Sequence, residues 1–313
     1  MRFLDHVDRE EISQLLARDE YFWLDLDQPD ADEERFLAET FSFHPLALED
    51  LRKRGQRPKL EDYDKYMFLV YYGARDGAGA EAEVDLQEVH AFLSGGYIVT
   101  SHAGPIAALE EARKRLEAQP PRSEQFVVYR VIDGLTDSFF PVLERLDDEL
   151  ERLDEEIFDD PSPAHLEQIT RLRRQLVELR RVATPQRDLL ARGTEDILEI
   201  PGLQADSREY FRDVYDHAIR ISEQIDSFRD LLSGSRDAYL STVSNRLNQI
   251  TTQLTVVATI FLPLSFLVGF FGQNFAWMVR NISSAGDFFV FGVGSALLSI
   301  FALLAWFRRS SFI

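Results

Sequence analysis

Cysteine is missing from all 313 residues. Its absence removes disulfide scaffolds, thiolate metal sites and cysteine nucleophiles from consideration. Basic residues are outnumbered, 34 Lys+Arg against 54 Asp+Glu, for a net charge of -20. That balance argues against a nucleic-acid partner, whose phosphates are met by Lys and Arg. The opening MRFLDHVDREEIS contains no apolar run, so no secretory signal is expected. The glycine-rich stretch GARDGAGAEAE at 73–83 lacks the Gly-Lys-Ser/Thr ending of a phosphate loop. It reads as a flexible hairpin connection, and no nucleotide partner is expected. With no nucleophile beside a partnered base and no metallohydrolase spacing, an enzyme is the least favoured class. The six histidines (His6, His44, His90, His102, His165, His217) show no ligand-like spacing. Only His217, four residues after Asp213, stands out, and it reads as a packed or surface side chain.

What the chain does have is 45% hydrophobic residues, unevenly placed. From Leu240 to Ile313 there are four arginines (Arg246, Arg280, Arg308, Arg309) and one acid, Asp287, a balance of +3 that leaves -23 on residues 1–239. Between Arg246 and Arg280 lie 33 residues without a formal charge, and another 20, FFVFGVGSALLSIFALLAWF, precede Arg308. About 20 apolar residues span a bilayer as a helix, so two membrane spans are expected, with the lipid bilayer as partner. Two closely spaced spans return both termini to one side. Arg308 and Arg309 make that side cytoplasmic by the positive-inside preference.

Ahead of the spans, FWLDL (22–26), YMFLVYY (66–72), EVHAFLS (88–94) and GYIVTS (96–101) read as strands, with helices at 29–41, 44–53 and 104–118. This is a small α/β domain within an α+β chain. From about Glu124 the pattern is helical. ERLDDELERLDEEIFDD (144–160) carries ten acids and ends at Pro161 and Pro163, which force a hairpin. The acidic run reads first as a solvated face, with a local cation reservoir as the alternative. The second helix of the hairpin runs from about Pro163 to Arg192, kinked at Pro185. A third helix is expected without a break from about Asp206 to Phe271. Its stripe Val214, Ala218, Ile221, Ile225, Phe228, Leu232, Ser235, Tyr239 steps by three and four, a heptad pattern that supplies a reason for several copies to assemble.

A two-span chain cannot enclose a pore alone, so an ion path needs copies around an axis. Continued into the first span, the stripe reads Asn248, Thr251, Thr255, Ala258, Leu262, Ser265, Gly269, Gly272, mostly small or polar, while neighbouring faces carry Val and Phe. Such residues also serve tight helix packing. Asn274, at the outer end, would add a ring of amide oxygens suited to the water shell of a cation. Magnesium sheds inner waters reluctantly and fits such a ring. Leu262, with Leu254 beside the stripe, could close the path by dewetting.

These residues resemble the CorA magnesium-channel family. SNRLNQITTQLTVVATIFLPLSFLVGFFGQNF (244–275) carries the likeness, with Gly272 to Asn274 as the Gly-x-Asn signature. It continues upstream in YFRDVYDHAIRISEQIDSFRDLLSG (210–234), RLRRQLVELRR (171–181) and FHPLALEDLRKRGQRPKLEDYDKYMF (43–68). The resemblance implies a homopentamer in a bacterial inner membrane. Its parts would be a cytoplasmic α/β/α domain (1–122), a helical hairpin of the funnel (123–205), a stalk (206–249), a pore-lining span (250–272), an external loop (273–287), a second span (288–307) and a basic tail (308–313). It implies a selectivity ring of Gly272, Gln273 and Asn274 and a pore lined by Asn248, Thr251, Leu254, Ala258, Leu262, Ser265 and Gly269. It further implies an intracellular Mg²⁺ sensor in which Asp50, with Glu49 beside it, meets Asp213 of the partner subunit. Asp133 would be accessory to that sensor and Asp237 part of an acidic ring at the cytoplasmic mouth. The activity implied is Mg²⁺ uptake, extending to Co²⁺ or Ni²⁺, driven by the membrane potential. Where the family usually has methionine, this chain has Gln273. The ZntB branch of zinc transporters also varies there, so a proton-coupled zinc transporter is the alternative, and a membrane-anchored interaction protein is a further one.

Overall fold

The computed structural model describes residues 1–77, 83–119, 121, 123–200, 208–273, 276–282 and 284–309. It divides into two units, Met1–Arg236 and Asp237–Ile313, taken here in turn.

In the first unit, strands β1 (Arg2–Leu4), β2 (Phe22–Asp27), β3 (Lys59–Asp62), β4 (Met67–Asp76), β5 (Val84–Leu93) and β6 (Tyr97–His102) form one sheet in the order β1-β2-β6-β5-β4-β3. The pairs β1·β2 and β2·β6 are parallel and the other three antiparallel. Both faces are covered, which is why β4 begins as an unbroken apolar run instead of alternating. Helices α1 (Arg9–Ala17), α2 (Ala31–Phe41), α3 (Pro45–Arg52) and α4 (Ala107–Ala118) accompany the strands. One face holds an aromatic cluster in which Phe43 stacks on Phe92 at 3.8 Å and Phe41 meets Tyr97 at 4.6 Å. On the other, Trp23, Leu69, Tyr71 and Ile98 pack with Leu109, Val128 and Leu190.

The expected strands and helices of this domain are present. Three further elements, β1, α1 and β3, carried no clear signal. β1 buries a single residue, and β3 is the charged edge Lys59-Leu60-Glu61-Asp62. The β4–β5 ladder reaches Asp76 opposite Val84, and Gly77 N donates to Glu83 O at 2.8 Å, as a hairpin connection requires. Residues 78–82 of that connection lie outside the described ones.

Helix α5 (Glu124–Asp137) belongs to the second face of the sheet, through Val127, Val128, Val131, Ile132 and Leu135. Glycine permits the close approach. A Cβ on Gly73 of β4 would come within 3.0 Å of Ser138 Oγ, which already accepts from Ala74 N at 2.8 Å. Helices α6 (Phe139–Asp159) and α7 (Pro163–Leu198) follow as a hairpin. α6 buries Val142, Leu146, Leu150, Leu153 and Ile157, while most acids between them face water; Glu149 is instead largely covered and paired with Arg145 at 2.9 Å. The solvated-face reading of the acidic run describes this arrangement. α7 continues past Pro185 to Leu198, six residues beyond the expected end.

Helix α8 (Arg208–Phe271) is continuous, as its pattern demanded. Its stripe has a different use from the expected one. Phe211, Val214, Ala218, Ile221, Ile225, Phe228, Leu232 and Ser235 are all buried inside one chain. Arg180 on α7 pairs with Asp226 at 3.2 Å, and Thr184 and Arg187 reach Ser222 at 3.4 and 3.3 Å. The heptad pattern is thus satisfied by the chain's own helices and gives no reason for copies to assemble. A heptad stripe states only that a helix has an apolar partner.

The second unit contains the end of α8, a short α9 (Ala276–Asn281) and α10 (Ala285–Arg309), whose turns over Phe288–Gly294 are π-helical. Both α8 and α10 are long and apolar enough to cross a membrane, and their apolar windows are unburied.

Candidate functional site

Helix α5 presents Tyr129, Asp133 and Asp137 at intervals of four, so they share one face. Asp213 and His217 share a face of α8 by the same spacing. The first unit brings these faces together. Ligand atoms of Asp133, Asp213 and His217 lie within 4.8 Å of one another. His217 Nδ1 is 2.9 Å from Asp137 Oδ1, and Phe140 meets its ring edge-on at 5.6 Å. Orienting one imidazole nitrogen through a carboxylate leaves the other for a ligand, the arrangement usual in metal sites.

Asp133 is buried and lies 3.5 Å from Arg130, whose guanidinium lies over Phe126 and Tyr129. Burial, reinforced by Asp137, pushes the Asp133 carboxyl above its usual range despite Arg130 and His217. Burial and Asp133 likewise push the Tyr129 hydroxyl up to about 12. A desolvated carboxyl of this kind gains from a divalent ion, which restores the charged form. Two carboxylates and an imidazole fit divalent cations. The oxygens suit Mg²⁺, and the nitrogen broadens the set to Co²⁺, Ni²⁺ and Zn²⁺. His217 is packed on Phe140 and paired with Asp137, as a packed side chain would be, and it also stands beside Asp133 and Asp213. Its partner Asp133 lies on another helix, a proximity that spacing along the chain does not reveal.

Asp50 and Glu49 lie on α3 and are not part of this cluster within one chain. Asp50 Oδ2 accepts from Lys59 Nζ at 2.6 Å, and Glu49 Oε1 from Lys53 Nζ at 2.5 Å. Asp237 is exposed.

In the second unit, Asn248, Thr251, Leu254, Ala258, Leu262, Ser265 and Gly269 are all exposed, Leu254 at 68% and Leu262 at 73%. Thr252, Val256, Thr259, Ile260, Pro263, Leu264, Leu267 and Phe271 are half-buried. At 100° per residue the two sets point roughly 160° apart around the helix. Toward the C-terminal end of α8, Leu267 and Phe271 line a cavity of 640 Å³ with Phe288, Phe291 and Leu297 of α10. One face of α8 is thus turned to the second span, and the opposite, more polar face has no partner among the described residues.

Gly272 ends the helix, its N–H donating to Val268 O at 2.9 Å, and a Cβ there would stand 3.1 Å from the same carbonyl. Gln273 follows, exposed, with its N–H on Phe270 O at 3.3 Å. Asn274 lies outside the described residues.

Comparison with known proteins agrees with this organisation. YfjQ of Bacillus subtilis, named for metal ion transport, is 35% identical over 92% of this chain and 88% of its own length. The cobalt/magnesium transport protein CorA of Thermotoga maritima is also 35% identical, over 77% of this chain and 69% of its own. Among solved structures, the complete CorA magnesium transporter of Methanocaldococcus jannaschii superposes with a TM-score of 0.77 at 23% identity, covering 93% of this chain and 91% of that one. Residues 18–309 match the description of a CorA-like Mg²⁺ transporter protein, and the chain belongs to that family, one of transporters and not of enzymes.

Proposed function

We propose that the protein is a homopentameric channel for Mg²⁺, with Co²⁺ or Ni²⁺ as further substrates, entering a bacterial cytoplasm across the inner membrane. The observation that carries this is the unpartnered face of α8, where Asn248, Thr251, Leu254, Ala258, Leu262, Ser265 and Gly269 stand opposite the face turned to α10. Copies arranged about an axis would line a path with this face. Leu254 and Leu262 would gate it by dewetting, and Gly272, Gln273 and Asn274 would ring its outer mouth. A divalent ion crossing about 100 mV gains roughly 4.6 kcal/mol, so uptake needs no nucleotide.

Closure from inside is assigned to Asp50 and Glu49 acting with Asp213 of the partner subunit, with Asp133 accessory and Asp237 at the cytoplasmic mouth. Carboxylates gathered at an interface repel, and a divalent ion turns repulsion into a bridge. The grouping of Asp213 with Asp133 and His217 supports this reading. His217 and Gln273 also favour a second one, zinc transport coupled to protons.

The deciding experiment is entry of Mg²⁺ and of Zn²⁺ into proteoliposomes containing the full chain, with and without a pH gradient. Mg²⁺ entry driven by voltage alone is expected. Zn²⁺ entry that requires the proton gradient would replace the first reading by the second. No flux of either ion from well-folded protein would remove both.

A further inference from the structure

Asp50 is engaged within its own chain. Lys59 Nζ lies 2.6 Å from Asp50 Oδ2 and 2.7 Å from Glu61 Oε1, so one ammonium is shared by carboxylates from α3 and β3. Tyr63 donates to Glu61 Oε2 at 3.0 Å, and the ammonium also lies 5.4 Å from the centre of the Phe68 ring. The edge strand fixes this placement. Lys59 and Glu61 are two residues apart and share a face of β3, held opposite Val70 and Phe68 of β4. Leu60 takes the other face and reaches α7, where its Cδ2 fills the space that a Cβ on Gly193 would need.

We propose that Lys59 is a tethered counter-cation of the divalent-ion sensor, holding Asp50 while no ion is bound and setting the concentration at which a divalent ion displaces it. This rests on the reading of Asp50 as an ion ligand given above. An ion at Asp50 would stand within about 5 Å of the ammonium, and like charges at that range repel strongly near a protein surface. Without the ammonium, Asp50 and Glu61 would face each other uncompensated, which a divalent ion relieves. Both effects have the same sign, so removing the Lys59 charge tightens ion binding. A strut that merely positioned Asp50 would loosen binding on removal, the opposite outcome.

The test is titration of the full-length protein in detergent with Mn²⁺, following the free-ion paramagnetic signal. Lys59→Met and Lys59→Gln are expected to bind about fivefold more tightly, the scale of a partly exposed ion pair. Lys59→Arg should bind like the wild type. Lys59→Met combined with Asp50→Asn should show no tightening over Asp50→Asn alone. If Lys59→Met and Lys59→Gln bind no more tightly while Asp50→Asn binds more weakly, the counter-cation role is overturned and Asp50 remains a ligand. If Asp50→Asn binds as the wild type does, the ligand reading and the counter-cation role fall together.

Discussion

His102 shows how one side chain couples the end of the parallel strands to pH. Its Nε2 lies 3.2 Å from Asp25 Oδ1 and its Nδ1 2.8 Å from Gly104 O, with Asp27 at 4.0 Å. Trp23 donates to Thr100 at 2.8 Å and Thr100 in turn to Asp25, so the carboxylate is fixed in place. Burial disfavours the imidazolium, but the hydrogen bond and charge of Asp25, then Gly104 and Asp27, outweigh it and raise the pKa above 6.5. A pKa raised in the folded state means that the folded protein holds the proton more tightly. The stabilisation is therefore complete below the unfolded value and is lost as pH rises through the folded one. His102→Gln should lower the melting temperature most below the ordinary imidazole pKa of about 6.5 and progressively less as pH rises above it. A loss independent of pH would show that the charge contributes nothing.

The same scale separates what could be read from the sequence from what could not. Asp133, Asp213 and His217 were each visible as residues, and Asp213 and His217 as an i, i+4 pair. Their convergence depends on how α5 docks on α8, which no local pattern specifies. Lys59 was hidden for another reason. A lysine that opens a charged edge strand looks like ordinary surface, and its contact with Asp50 depends on how β3 lies against α3, which the local sequence does not specify.

At the scale of elements, patterning was legible where an element has one apolar face and illegible where the partner had to be named. β2, β4, β5, β6, α2, α3 and α4 follow from apolar runs and periodicity, and α8 from an unbroken helical pattern. The heptad stripe of α8 was read correctly as a buried face, but its partner is the chain's own hairpin. A case of the same kind concerns the ladder of β4. β3 begins at Lys59, opposite Val70, so Tyr72 lies beyond the paired stretch, and its N–H is met by Gln186 Oε1 of α7 at 2.8 Å. A side-chain amide thus stands in for a missing strand and ties α7 to the sheet. Gln186 is buried, so Gln186→Leu would leave a backbone donor without a partner. The expected cost is about 1–3 kcal/mol, measured as a lower denaturation midpoint. Gln186→Glu, which keeps an acceptor, should recover part of it. Equal stability of Gln186→Leu and the wild type would mean that Tyr72 N–H is satisfied in another way.

At the scale of the whole molecule, the exposed stripe of α8 has no partner among the described residues. With the heptad stripe buried, the proposed assembly would draw on the apolar segment, where Leu254, Phe261, Leu262 and Phe266 are each more than 60% exposed. Lipid can cover Phe261 and Phe266. Asn248, Thr251 and Ser265 instead call for water or other polar groups, since hydrogen-bonding groups left bare in hydrocarbon are costly. The chain's lack of cysteine makes this testable without background. In a symmetric ring, Leu262 and Ala258 approach their counterparts across the axis, whereas Val256, on the face directed to α10, points away from it. Leu262→Cys and Ala258→Cys in native membranes should form disulfide-linked dimers on mild oxidation, and Val256→Cys should remain monomeric on a denaturing gel. Because sulfur atoms must come within bonding distance with Cα atoms about 4.4–6.8 Å apart, only approaching faces or brief closures will react. Cross-linking at Val256 with none at Leu262 or Ala258 would turn the helix around and place the stripe against lipid or a neighbouring helix. The pore assignment would then fail while the family's fold stood.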